Sequence, residues 1–297
     1  MVELKPALTY EEQILRLKNV HNLTIQDEAS AIDILKRVNN YRLSAYGLGL
    51  TKGGNSELYS DGITLEHLYR LYQFDCLFRS HCMHIVEQLE IQLRTQISNH
   101  LALKYGPEGY VNPSLFSDKK TKDGELIHTT IIDNFKKECE RQKNTPFVKH
   151  HLDKYEGHFP IWVAVELFTF GNLSSLYSIM LPEDRKAIAT LYKTEPCHLG
   201  SWILSLVEVR NICAHYGRLY NMPLKQTPFL YPENRRYRSS AQSKIFLVLL
   251  SIKRMLNGNS SWVSFYRRIE NLIDEYGDVI KLSFMGFPNN WKQVLQP

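Results

Sequence analysis

Cysteine is scarce: the five residues at 76, 82, 139, 197 and 213 are odd in number and contain no CxxC pair. That excludes a disulfide framework and a cage of paired zinc thiolates, and it predicts reduced core or near-core thiols. Long hydrophobic runs are missing as well. The longest uninterrupted one, Ile245 to Leu250, is far short of the roughly 20 residues a membrane span needs. The opening MVELKPALTY lacks the basic-then-apolar pattern of a secretion signal, so the expected location is the cytoplasm, with no membrane partner. There is no internal repeat, no heptad array and no alternating pattern that would read as a sheet.

What is present is apolar content of 43% over 297 residues, ample for a large core. The helical signals are numerous. Thr9 with Glu12 forms a capping-box signature ahead of Tyr10, Ile14, Leu17 and Val20, predicting a helix over about 10–20. Another starts near Asp27 with Ala31, Ile34, Leu35 and Val38 as its stripe, and TKGGNSE follows as a loop. Thr64 opens the longest pattern, running to about Lys104 with Leu71, Phe74, Phe78, Cys82, Ile85, Leu89 and Leu93 three or four apart. Within it Glu90 and Arg94 form an i,i+4 pair that reads as a surface brace. Further helices are expected over about 126–142, 161–169 and 173–180 with a Gly-Asn turn between the last two, then from Pro182, from Cys197 to about Tyr216, and over about 240–256 and 261–276 before an irregular tail. The expected fold is all-α, with residues 1–60 packed on a main helical domain of 61–297.

Charge is concentrated. Between Arg210 and Arg254 nine Lys or Arg face one acid, Glu233, so the net +5 of the chain is more than accounted for there. Tyr216, Tyr220, Phe229, Tyr231 and Tyr237 are interleaved with those cations, a mixture suited to neutralising phosphates and stacking bases. A solvated basic surface over core aromatics fits the same composition.

The stretch EVRNICAHYGRLYN, residues 208–221, carries the chemistry. On one helix Glu208, Asn211 and His215 share a face, while Trp202, Leu206, Val209 and Cys213 form a buried stripe. Arg210 and His215 are about 140° apart on an ideal helix, so a shared target requires arginine's reach or a second copy of the helix. The Arg-x4-His spacing itself is cheap: Arg16 with His21 and Arg79 with His84 repeat it, and Arg94 with His100 comes within one residue. Only the pair at 210 and 215 has an amide after the arginine, a small residue before the histidine, and Arg218 one turn on. Asn211 can bond a phosphate oxygen or orient the imidazole.

RNICAH followed by YGRLYN resembles the Arg-Asn-x-x-Ala-His signature of HEPN-type ribonucleases, specifically the Abi-type abortive infection proteins of bacteria. KPALTYEEQILRLKN, YRLSAY, LYQFDCLFR, VEQLEIQLRTQI and FPIWVAVELFTFGNLSSLY resemble successive blocks of that family in the same order, from about residue 5 to 225. The resemblance implies a HEPN-like bundle with extra N- and C-terminal helices and a homodimer that brings two motifs together. It also implies a metal-independent, cofactor-free endoribonuclease site acting in phage defence. Arg210, Asn211 and His215 become the catalytic candidates, and Arg218, Lys225, Arg235, Arg236 and Arg238 the RNA-binding ones. Toxicity of such an enzyme implies a control partner, an inhibitory RNA or a protein antitoxin. Some related HEPN proteins carry a modifiable tyrosine two positions after the histidine, where this chain has Gly217. A second reading keeps the same cleft as a non-catalytic RNA-binding or sensor module.

Overall fold

The computed structural model describes residues 6–53, 57–241 and 243–297, and within them it is built of fourteen α-helices and no strand. In chain order these are α1 (Tyr10–Asn19), α2 (Glu28–Arg37), α3 (Asn40–Ser44), α4 (Leu65–Tyr105), α5 (Ile127–Arg141), α6 (Pro146–Lys154) and α7 (Ile161–Ala164). They continue with α8 (Phe170–Ile179), α9 (Pro182–Leu191), α10 (Pro196–Ala214), α11 (Tyr237–Ala241), α12 (Ile245–Met255), α13 (Ser260–Glu275) and α14 (Trp291–Leu295). None is long and apolar enough to cross a membrane. The expected loop TKGGNSE lies partly outside the described residues.

The axis of the molecule is α4. The side chain of Thr64 accepts the His67 amide at its start, and Gly106, at φ +82°, ends it in a conformation that favours glycine. Leu71, Phe74, Phe78, Cys82, Ile85, Leu89 and Leu93 are all buried, as are Leu68, Val86 and Leu101, so the helix is covered on more than one side. The helices α7, α10 and α13 supply most of that cover. At about 1.5 Å per residue its 41 residues make a rod of roughly 60 Å, long enough to organise both ends of the chain. Buried side chains from Ile14 to Leu295 belong to one contiguous apolar cluster.

Most helix starts follow the local signals. Thr9 and Glu12 form the reciprocal capping box of α1, and Asp27 caps α2 through the amides of Ala29 and Ser30. The structure departs from expectation at several points, and the helix expected over about 161–169 runs only as α7 followed by a 3-10 turn over Val165–Leu167. Gly171 and Asn172 are not a turn: Thr169 caps α8 by accepting the Asn172 amide at 3.0 Å, so both fall in its first turn. The segment after Lys143 forms α6, with Pro146 at its first position. The helix expected from about 240 begins only at Ile245, after the short α11. The C-terminal tail is not wholly irregular, since it ends in α14, whose Trp291 and Leu295 are buried, and Trp262 and Lys253 donate to the Leu295 and Val294 carbonyls.

Candidate active site

The motif lies on the last turns of α10 and just beyond. Trp202, Leu206, Val209 and Cys213 are buried as the periodicity predicts, with α10 antiparallel to α4 so that Glu90 meets Arg210 and Asp75 meets Leu219 and Tyr220. Burial pushes the Cys213 thiol up to about 12, so it is a packing group and no nucleophile at neutral pH. Of the five thiols only Cys197 is exposed, contrary to the expected core or near-core position, because it sits in the first turn of α10 at the rim of a cavity.

The helix ends two residues before the expected Tyr216. The Gly217 amide donates to the Ile212 carbonyl at 2.8 Å and the Tyr216 amide to Cys213 at 3.3 Å, the paired bonds of a Schellman cap. Tyr216 takes the left-handed position at φ +56°, where glycine is usual. Gly217 cannot be moved one place to relieve it: a Cβ there would lie 3.0 Å from the Ile212 side chain and 3.2 Å from its carbonyl. His215 is the cap residue itself, at φ −98° and ψ 19°, so its direction departs from the ideal-helix angle to Arg210.

Arg210 and His215 differ sharply in how they are held. The Arg210 Nε is 3.5 Å from Glu90 Oε2, close enough for an ion pair though poorly aligned for a hydrogen bond, and its Nη1 donates to Asn211 Oδ1 at 3.3 Å. His215 and Asn211 are exposed, and among the described residues nothing hydrogen-bonds to the His215 imidazole. Glu90 is not the surface brace it resembles in sequence. It is buried and also receives Arg94 Nη2 at 2.5 Å, while Arg94 donates to the Val165 carbonyl, so one carboxylate serves two arginines. Glu208 is likewise no solvated carboxylate, because it accepts the amides of Lys225 (2.8 Å) and Gln226 (2.6 Å) and pins the following loop to α10.

Asp75 fixes the far side of the motif. Fully buried, it accepts from Tyr46 Oη (2.8 Å), Arg79 Nε (3.1 Å) and the amides of Leu219 (3.1 Å) and Tyr220 (2.8 Å). Burial raises its carboxyl above the ordinary carboxylate range, even though these four donors pull it down. Sequence spacing gave no hint of this role.

In each of the other Arg–His pairs the histidine is engaged. Arg79 is buried against Asp75 and Cys76 and His84 faces Gln88, His21 meets the Glu57 carbonyl, and Arg94 and His100 are taken by Glu90 and Asp184. Arg218 is turned inward over the Tyr46 ring and donates to the Ala45 carbonyl, and burial lowers its pKa. Lys225, Arg235, Arg236 and Arg238 are exposed along the 222–241 connection, Arg236 lying over the Tyr237 ring. Of the interleaved aromatics, Tyr220 and Tyr237 are buried, leaving Tyr216 and Phe229 as the well-exposed rings.

A cleft of about 650 Å³ opens beside the end of α10, lined by Arg42, Tyr72, Arg79, His84, Glu87 and Tyr216 among others. Arg42 enters it from α3 and donates to the Tyr216 carbonyl at 2.7 Å. Cys213 and Tyr216 represent the motif segment in this lining, and Arg210, Asn211 and His215 do not line it. Among the described residues no group of three or more His, Cys, Asp or Glu converges as a metal-ligand set.

No curated protein matches this chain, and no solved structure matches it. The model of one family, described as Abi-like protein, matches residues 33–221, a stretch that takes in α4, the motif helix and its capped end. Because the match covers more than half of the sequence, the chain belongs to the Abi-like family.

Proposed function

We propose that this protein acts in abortive infection, the phage defence that its family suggests, as a HEPN-type endoribonuclease that needs no metal. The observation that carries the reading is the contrast at the end of α10: an exposed imidazole without a hydrogen-bond partner among the described residues, five positions after an arginine already held by Glu90 and Asn211. Imidazole exchanges protons near neutrality, so His215 can take the proton from a ribose 2′-hydroxyl or give one to a departing 5′-oxygen. The 2′-oxygen then bonds to phosphorus while the bond from phosphorus to the 5′-oxygen breaks, leaving a 2′,3′-cyclic phosphate and a 5′-hydroxyl. Arg210 stabilises charge on the pentacovalent phosphorus, and Asn211 orients the phosphate. One imidazole cannot hold both protonation states at once, which favours a homodimer presenting two motifs to one phosphodiester. Lys225, Arg235, Arg236 and Arg238 supply the exposed positive charge for RNA, and an inhibitory RNA or protein antitoxin keeps the enzyme silent before infection.

The test is RNA cleavage by purified protein in EDTA, with His215→Ala and Arg210→Ala alongside. Both variants should lose activity by at least about a hundredfold, and the wild-type products should carry cyclic phosphate ends. Equal residual cleavage in the variants sinks the assignment, and RNA binding without any cleavage points to a binding module. Light scattering at micromolar concentration should give a dimer mass, and a monomer there removes the composite site.

A further inference from the structure

The N-terminal end of α10, opposite the motif, borders a second cavity of about 420 Å³ between α8, α9 and the 226–229 segment. Its lining contains two charged residues, Lys119 and Arg185, and no carboxylate. Among the described residues neither cation makes an ion pair. The Arg185 Nε is buried without a hydrogen-bond partner, and the Lys119 Nζ has only the Ser178 carbonyl, at 2.6 Å. Lys119 is exposed and Arg185 partly buried, and partial desolvation followed by the Arg185 charge lowers the Lys119 ammonium from its ordinary range. The acids beside Arg185 are turned away: Lys104 engages both Glu183 and Asp184, and His100 and Tyr105 also donate to Asp184.

The rest of the wall mixes apolar side chains such as Leu204 and Phe229 with a few possible anion donors. Glu195, the N-cap of α10, makes no side-chain cap bond, so the first-turn amides that follow Pro196 lack intrahelical acceptors. Ser174, Ser175 and Ser201 add hydroxyls, while the Ser178 hydroxyl is spent on the Ser175 carbonyl, and the exposed Phe229 ring lines the cavity where a base could stack. An exposed lysine and a partly buried arginine beside an uncapped helix start, with no acid in the lining, make this cavity favourable for an anion.

We propose that this cavity binds a phosphate monoester of nucleotide size, with Lys119 and Arg185 on the phosphate. The ligand comes either as a free mononucleotide or as the 5′-phosphorylated end of an RNA. The site lies at the other end of α10 from His215 and stands independently of the ribonuclease reading.

The test uses the full-length His215→Ala protein, so that RNA is not turned over, and measures calorimetric binding of inorganic phosphate, AMP and one short oligoribonucleotide with either a 5′-phosphate or a 5′-hydroxyl. AMP should bind once per chain, and Arg185→Gln and Lys119→Gln should each weaken it at least about tenfold. Ser175→Asp, which sets a carboxylate in the cavity, should abolish binding while raising the thermal midpoint, a result that loss of folding cannot imitate. Preference for the phosphorylated oligonucleotide over AMP identifies an RNA end as the source, and the reverse identifies a free nucleotide. No binding of any phosphate probe at about a hundred times a micromolar Kd, or equal binding by the Arg185 and Lys119 variants, overturns the site.

Discussion

Glu90 Oε2 lies 3.5 Å from the Nε of Arg210, and the same carboxylate receives Arg94, so the motif arginine is oriented from the central helix rather than from its own. The arrangement leaves Arg210 a terminal nitrogen for a phosphate while Glu90 attracts the guanidinium and Asn211 accepts from its Nη1. Glu90→Gln removes the charge but keeps the shape. It should destabilise the fold by about 3 kcal/mol, because Arg94 is left buried beside a neutral amide. Measured well below the melting temperature, its RNA cleavage should fall about tenfold, mainly in kcat. Undiminished cleavage would mean that Arg210 needs no positioning by Glu90.

Asp75 holds the chain just past His215 through the Leu219 and Tyr220 amides. Asp75→Asn keeps an acceptor but strands Arg79 in the core, at a cost of about 3 kcal/mol in thermal or urea unfolding. Amide exchange at Leu219 and Tyr220 should quicken more than exchange in the middle of α4. Uniform quickening would show that Asp75 serves global stability alone.

The sequence was most legible where periodicity and caps act within a few residues. The stripe of α4 and the capping box of α1 need no distant partner to be read, and both appear as expected. The motif was legible as residue types but not as a site. Arg218 looks like one more surface cation, yet the Tyr46 ring and the Ala45 carbonyl that hold it lie on another segment. Glu90 looks like half of an exposed helical pair because its second arginine is on α10, and Asp75 carries no local signal because two of its donors lie 144 and 145 residues away. The early end of α10 was hidden for another reason: its left-handed cap position holds a tyrosine, with the glycine one residue later.

That cap makes Tyr216 a strained residue. Left-handed backbone costs a non-glycine residue about 1–2 kcal/mol, and glycine returns part of this through its freer unfolded chain. Tyr216→Gly should therefore raise stability by about 0.5–1 kcal/mol. Because the ring is 71% exposed at the mouth of the cleft, the same change should weaken RNA binding by about 1–3 kcal/mol if the ring stacks on a base. Greater stability with unchanged RNA affinity would leave the tyrosine without a stacking role.

Asp184 offers a pH test remote from the motif. Its buried carboxylate accepts from Lys104 (2.5 Å), His100 (2.8 Å) and Tyr105 (2.7 Å), tying α9 to the end of α4. Burial acts to raise its pKa, but the three donors outweigh burial and hold it below the ordinary carboxylate range. A carboxyl with a depressed folded pKa contributes stability that is fully present above its unfolded value, near about 3.9, and lost as pH falls through the folded one. Asp184→Asn should cost about 3 kcal/mol near neutral pH, and the gap to wild type should close progressively below about pH 4. Urea unfolding of both proteins across that range measures it, and a gap that stays constant into acid would show that the charge of Asp184 contributes nothing beyond its hydrogen bonds.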